Sequence, residues 1–361
     1  MSKKYIITLV VATIIFGFSF TSRAGNPDRA GEAGAYELLM NPWAKSSGFM
    51  GMHSSRVEGV EAMRVNVAGL SFVKRTQVLF AHTQWLRQSG VSLNAAGIAQ
   101  AFGKEKDNVI GVSIMSVSVG DIMRTTTTNP EGGIGTFKPT LVNIGMAYSR
   151  SFSSSIKGGF LVRLINERAE NASASGVAID LGIQYVTGKL DNIRFGIALR
   201  NVGTPMRFSG TGFTFRGNSP DNTFQQTISQ RAEKFELPSL LNIGGSYDLY
   251  LDNMKNDTEI ESKHRLTILA NYTSNSFGKD QLGGGLEYGF KKLFMLRCGY
   301  AWENGLTKAD NRSNAHTGFA AGVTVQTPLK KSGSTVMGID YSYRTTDVFN
   351  GTHTLGVFVT L

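Results

Sequence analysis

From about Gln77 to Leu361 apolar and polar residues alternate with a period of two. At the C-terminus His353, Leu355, Val357, Val359 and Leu361 share one face, and Thr354, Gly356, Phe358 and Thr360 share the other. Phe294, Leu296, Cys298, Tyr300 and Trp302 likewise alternate with Met295, Arg297, Gly299 and Ala301. Period two with one apolar face predicts a half-buried strand. The same reading recurs at Val142–Tyr148, Val177–Tyr185, Ile193–Leu199, Leu241–Leu249, Leu266–Tyr272, Leu282–Phe290 and Met337–Tyr343. In all it predicts fourteen strands, each of about ten residues, the length that crosses a bilayer at a tilt. Charged and small residues keep to one face. A barrel in lipid turns its apolar face outward and its polar face to the lumen. The fold predicted is therefore all-β: a fourteen-stranded antiparallel transmembrane barrel.

Connections alternate between long polar loops, such as Thr125–Pro139 and Glu303–Ser313, and tight turns, such as Lys104–Asn108, Phe152–Ser155 and Lys291–Lys292. Long outer loops and short periplasmic turns are the pattern of outer-membrane barrels. Asp252–Lys263 is a longer charged exception. The longest gap, Thr204–Pro238, holds Phe208, Phe213, Phe215, Phe224 and Phe235. Aromatic side chains there suit either a partner-binding outer loop or a loop folded over the mouth.

Two segments do not alternate. Lys3 and Lys4 precede an apolar run to Phe20 that ends in Ser22-Arg23-Ala24, so residues 1–24 read as a secretory signal peptide cleaved after Ala24. Residues 25–70 then mix short apolar pieces with Gly, Asn and Pro. Such backbone cannot lie unpaired in lipid. It is expected to fill the lumen as a hatch, leaving residues 71–361 for the barrel.

Composition agrees with that division. Gly is abundant at 42 residues, Pro scarce at 8, and only 18% of residues are charged. A single cysteine, Cys298, allows no intrachain disulfide. The formal charge of +10 falls to about +7 without the leader, and Lys and Arg never run beyond two, which disfavours nucleic acid as a partner. Outer-membrane lipid is the expected surround.

Ten charges take the inward phase: Arg163, Asp180, Arg194, Arg200, Asp248, Arg265, Glu287, Arg297, Asp340 and Arg344. They suit a polar channel, or a paired network anchoring the hatch through Arg29, Glu32, Glu37, Arg56, Glu58, Glu61 and Arg64; the second reading is preferred. Catalytic patterns are missing. The five histidines form no His-x3-His or His-Glu-x-x-His pair, and there is no Gly-x-Ser-x-Gly elbow. No enzyme activity, metal or cofactor is expected.

Asn66-Val67-Ala68-Gly69-Leu70 resembles the Asn-Pro-Ala-Gly-Leu signature of FadL-like barrels, with Val67 in place of the usual proline. The opening Gly25–Gly31 with Asn26, Pro27, Asp28 and Arg29, the Glu37-Leu38-Leu39 and Asn41-Pro42-Trp43-Ala44 pieces, and Leu199–Pro205 resemble more narrowly the PorV/PorQ branch. The FadL-like resemblance implies fourteen strands, a lumenal hatch, and passage of hydrophobic small molecules through hatch movement and a lateral gap in the wall. The PorV/PorQ resemblance implies instead a type IX secretion accessory, whose partners are translocon proteins or cargo C-terminal domains. The secretion role is the main expectation and the transporter its alternative.

Overall fold

In the computed structural model the described residues are 25–252, 262–291, 293–308, 311–329 and 335–361. The expected signal peptide and most of the charged Asp252–Lys263 turn lie outside them.

Fourteen strands close into one antiparallel barrel. In chain order they are β1 (Thr76–Trp85), β2 (Val91–Phe102), β3 (Asn108–Ser118), β6 (Thr140–Ser151), β7 (Ile156–Ala169), β8 (Ala172–Thr187), β9 (Ile193–Gly203), β12 (Leu240–Tyr250), β13 (His264–Asn275), β14 (Gln281–Phe290), β15 (Phe294–Glu303), β16 (His316–Pro328), β17 (Val336–Thr346) and β18 (Thr352–Thr360). Each pairs with its sequence neighbour, and β1 pairs with β18 from Gln77↔Thr360 to Gln84↔His353. Closure leaves no edge, as backbone in hydrocarbon requires. No helix among the described residues is long and apolar enough to cross a membrane.

The alternation translates directly into two surfaces. Phe80, Ile98, Phe160, Ile183, Ile197, Ile243, Leu296, Ile339 and Leu355 are exposed on the outside, where lipid would cover them. Their neighbours in sequence are buried inside.

The outer connections carry structure that alternation did not predict. β4 (Ile122–Met123) with β5 (Thr136–Phe137), and β10 (Thr214–Asn218) with β11 (Gln225–Ser229), form two separate hairpins. Not every outer connection is long. β7 and β8 run 14 and 16 residues and meet at a tip of Glu170 and Asn171, so the strands themselves extend beyond the wall.

The ladder is irregular at two places. Between β8 and β9 the register shifts at Ile179/Leu181, and between β16 and β17 at His316/Ala320. At the first, the Asp180 carboxylate accepts from the Asn201 N–H at 2.6 Å, replacing the lost ladder bond.

Residues 25–75 thread the lumen from one rim to the other as short helical turns. The last, Val67–Phe72, ends two residues beyond the expected hatch boundary at Leu70.

Candidate functional site

The hatch and the wall facing it form the candidate site. Asn66 organises it. Its side-chain oxygen accepts from the Ala68 N–H at 3.2 Å, capping the Val67–Phe72 turn. Its amide donates to the Ser54 carbonyl at 2.9 Å and to the Ile183 carbonyl of β8 at 3.1 Å. One side chain thus closes the turn, ties it to the preceding hatch segment and fastens both to the wall. Ala68 gives its carbonyl to the Ser149 hydroxyl of β6 at 3.1 Å. Gly69 has the Val57 carbonyl 2.1 Å from where a Cβ would stand, and Leu70 is wholly buried. Val67 opens the turn, the position where a missing N–H costs a proline nothing.

Small wall residues make room for the hatch. A Cβ on Gly182 would stand 2.1 Å from the Asn66 oxygen, and one on Gly299 2.6 Å from the Cα of Phe49. Inward amides reach in between. Gln184 donates to the Ser54 and Val57 carbonyls, both at 3.0 Å, and Gln77 accepts from the Val60 N–H at 2.8 Å. Asn271 meets the Ser54 hydroxyl. Alternation puts these amides in the same inward phase as the charges, and the structure adds them to the contacts that hold the hatch.

All ten charges expected in the lumen point inward, and they fall into groups. Towards the long-loop rim Arg163 pairs with Asp180 at 2.7 Å and donates to the Met63 carbonyl at 3.0 Å, with Arg200 beside them. Towards the tight-turn rim Arg56 meets Glu58 (2.6 Å) and Asp248 (3.2 Å), and Arg194 meets Glu58 (2.5 Å). Arg265 and Arg297 share Glu287 at 2.6 and 3.2 Å, and Arg297 approaches Asp340 at 3.7 Å. Arg344 lies 4.9 Å over the Trp85 ring and reaches the Asn41 carbonyl at 3.4 Å.

Of the seven hatch charges expected to pair with this network, Arg56 and Glu58 form ion pairs with wall strands. Arg64 turns instead to the carbonyls of Glu37 and Met40, at the end of the short Tyr36–Leu39 turn. Glu61 accepts from the Ser46 N–H at 2.9 Å. Arg29 pairs with Glu32 (2.7 Å) and Glu236 (3.2 Å) at the rim, not in the lumen. Glu37 faces Glu167.

Beneath the hatch, at the tight-turn end, a cavity of about 650 Å³ is lined by Lys45, Arg56, Glu58, Arg194, Asp248 and Glu287 among others. It is a vestibule in which these charges stand beside Phe49, Phe72, Leu79 and Phe358. Burial pushes the Glu58 carboxyl upward, but Arg56 and Arg194 more than offset this and hold it well below the usual carboxylate range. Glu61 goes the other way: burial and the nearby Asp340 push it up to about 7. A carboxyl whose folded pKa exceeds its unfolded value near 4.3 loses stability as pH rises between the two. The hatch should therefore sit more firmly at pH 5 than at pH 8, by about 1–3 kcal/mol. Protease cleavage of the hatch at the two pH values checks this. Glu61→Gln should abolish the difference, and a pH effect that survives it would rule Glu61 out.

The aromatic loop divides. Phe208 and Phe235 pack together, with ring centroids 5.7 Å apart, over hatch residues Ala35 and Leu38 and the wall. Phe213 is half-buried, while Phe215 and Phe224 are exposed on and beside the β10–β11 hairpin. At the hatch start, Asn26 donates its N–H to the Asn275 carbonyl, Pro27 and Asp28 belong to the short Pro27–Arg29 turn, and Arg29 lies 4.2 Å over the Phe277 ring. Among the described residues no group of His, Cys, Asp and Glu is arranged to hold a metal ion.

No protein-family model matches the chain, and no curated protein matches it. Solved structures do. The toluene transporter TodX of P. putida superimposes with a TM-score of 0.53 at 12% identity, over 89% of this chain and 97% of that one. A TodX monoaromatic hydrocarbon channel carrying the deltaS2 mutation gives 0.52 at 13%, over 89% and 98%. A FadL homologue of Pseudomonas aeruginosa is looser, at 0.47 and 10%, over 88% and 96%. At such identities the likeness is one of fold: the chain is a fourteen-stranded barrel of the architecture found in TodX.

Proposed function

We propose that this barrel passes small hydrophobic molecules across the outer membrane, with the hatch as its gate. The observation that carries the reading is the hatch itself. It threads the lumen from rim to rim, yet it is fastened to the wall by discrete hydrogen bonds, ion pairs and close contacts at glycines. Contacts of this kind separate and re-form without unfolding the barrel. The fold is also that of TodX, which is described as a toluene transporter.

A second reading, a secretion accessory binding translocon or cargo proteins, is favoured by one specific observation. Phe215, Phe224, Ile122, Met123 and Ile134 are exposed on the outer connections, beyond any need of the barrel. Exposed apolar side chains on outer loops suit a protein contact.

One comparison separates the two. A deletion strain is assayed for toluene uptake and for its secreted proteome, with the gene restored as control. Slower uptake with unchanged secretion is expected. Unchanged uptake with loss of secreted proteins would overturn the transporter reading in favour of the second.

A further inference from the structure

We propose that cleavage between Ala24 and Gly25 creates a cationic chain end that Asp280 captures at the extracellular rim, so that processing itself pins the start of the hatch. The Gly25 nitrogen donates to Asp280 Oδ2 at 2.7 Å. That carboxylate is held in place by other donors: the Tyr272 hydroxyl at 2.8 Å on Oδ2 and the Asn275 N–H at 3.2 Å on Oδ1. Asp280 stands in the connection between β13 and β14, at the rim that carries the long outer loops.

The fit is specific to glycine. A Cβ at position 25 would stand 2.5 Å from Asp280 Oδ1 and 2.8 Å from the Gly278 carbonyl oxygen. The residues that follow hold to the same connection, Asn26 through the Asn275 carbonyl and Arg29 over Phe277. The sequence independently places its small-x-small cleavage pattern, Ser22-Arg23-Ala24, immediately before this glycine.

Before cleavage the Gly25 nitrogen is an amide with one N–H and no charge. Hydrolysis by the exporting cell's signal peptidase breaks the Ala24–Gly25 C–N bond with one water. The hydroxyl joins the Ala24 carbonyl carbon and the proton joins the Gly25 nitrogen. Near neutral pH the new amine takes a further proton and becomes an ammonium with three donors. A charge-assisted bond to a carboxylate is roughly twice as strong as its neutral counterpart. The processed chain therefore gains at Gly25 a charge-assisted bond that the uncleaved amide cannot make. The inference does not depend on what the barrel carries.

The test uses full-length protein extracted from outer membranes. Intact mass and N-terminal sequencing should show Gly25 as the first residue. The rate at which an amine-selective acylating reagent labels the chain end is then followed against pH. Pairing with Asp280 should raise the amine above the free value near 7.7–8.0; one unit means about tenfold slower labelling at pH 7. Asp280→Asn should restore the free rate, with heat-dependent gel migration confirming a folded barrel. Should that variant not fold, Gly25→Ala, whose Cβ collides with the carboxylate, should show the same acceleration. A different first residue, or an amine that labels in the native protein as fast as in the unfolded chain, would overturn the proposal.

Discussion

Replacing Arg297 with methionine should loosen the hatch by about 3–5 kcal/mol, the usual cost of removing one partner from a buried ion pair. The Arg297 side chain is wholly enclosed. It holds Glu287 and Asp340, donates to Thr324, and lies 5.8 Å over the hatch ring of Phe49. Its alkyl stem packs where a Cβ on hatch residue Gly48 would stand, 2.9 Å from Arg297 Cδ. Methionine preserves much of that packing but leaves two enclosed carboxylates with less compensation. Arg265 still reaches Glu287, so the larger imbalance falls on Asp340. The barrel ladder needs none of these side chains. The loss should therefore appear as faster trypsin cleavage within the hatch, with a smaller change in the temperature at which the folded barrel band disappears on gels. Combining Arg297→Met with Asp340→Asn should recover most of the protection, because Glu287 keeps Arg265 and the carboxylate left without Arg297 is removed. If the single variant resists trypsin as the parent does, the network does not hold the hatch.

The barrel was legible because its signal is periodic and redundant. Fourteen stretches repeat the same alternation, and a one-residue slip in any of them would place charges such as Arg297 or Asp340 in lipid. The inward phase of the ten charges follows from the same alternation. Their partners did not, because pairing depends on which strands become neighbours and at what register. Arg297 sits opposite Glu287 and Gly322, a fact of hydrogen-bonded rows and not of spacing along the chain. Arg64 shows a second limit. A guanidinium in a short-turn segment has backbone carbonyls to serve, and nothing in a charge tally favours a carboxylate over them. The β10–β11 hairpin is not legible although Thr214-Phe215-Arg216 and Thr227-Ile228-Ser229 alternate, since three residues are too few to stand out from a polar loop. The Asn66–Leu70 motif was visible by resemblance. Its physical reason, a cap that also hydrogen-bonds to the wall beside a glycine, needed the third dimension.

Gly299→Val should displace the hatch from a barrel that still forms. Gly299 shares the inward phase with Arg297, and a Cβ there would meet Phe49 at its Cα, carbonyl carbon and oxygen, at 2.6, 2.7 and 2.9 Å. All three are backbone atoms, which no rotamer change can move. Overpacking a filled site typically costs about 1–3 kcal/mol where neighbours can yield; here the hatch segment must shift as a unit. The strand itself tolerates valine well, since β-branched side chains suit a pleated surface. With Phe49 lifted from Gly299 and Gly285, the lumen of a fourteen-stranded barrel, wider than its own side chains fill, is left open. In planar bilayers the variant should show long-lived ion conductance where the parent stays closed. The neighbouring residue supplies the control: Cys298 takes the opposite phase, so Cys298→Leu adds bulk towards lipid instead and should leave the barrel closed. Equal conductance from both variants would mean that bulk in this strand disturbs the barrel as a whole. Conductance from Gly299→Val alone would identify the close seat of Phe49 on the wall as what keeps the lumen shut.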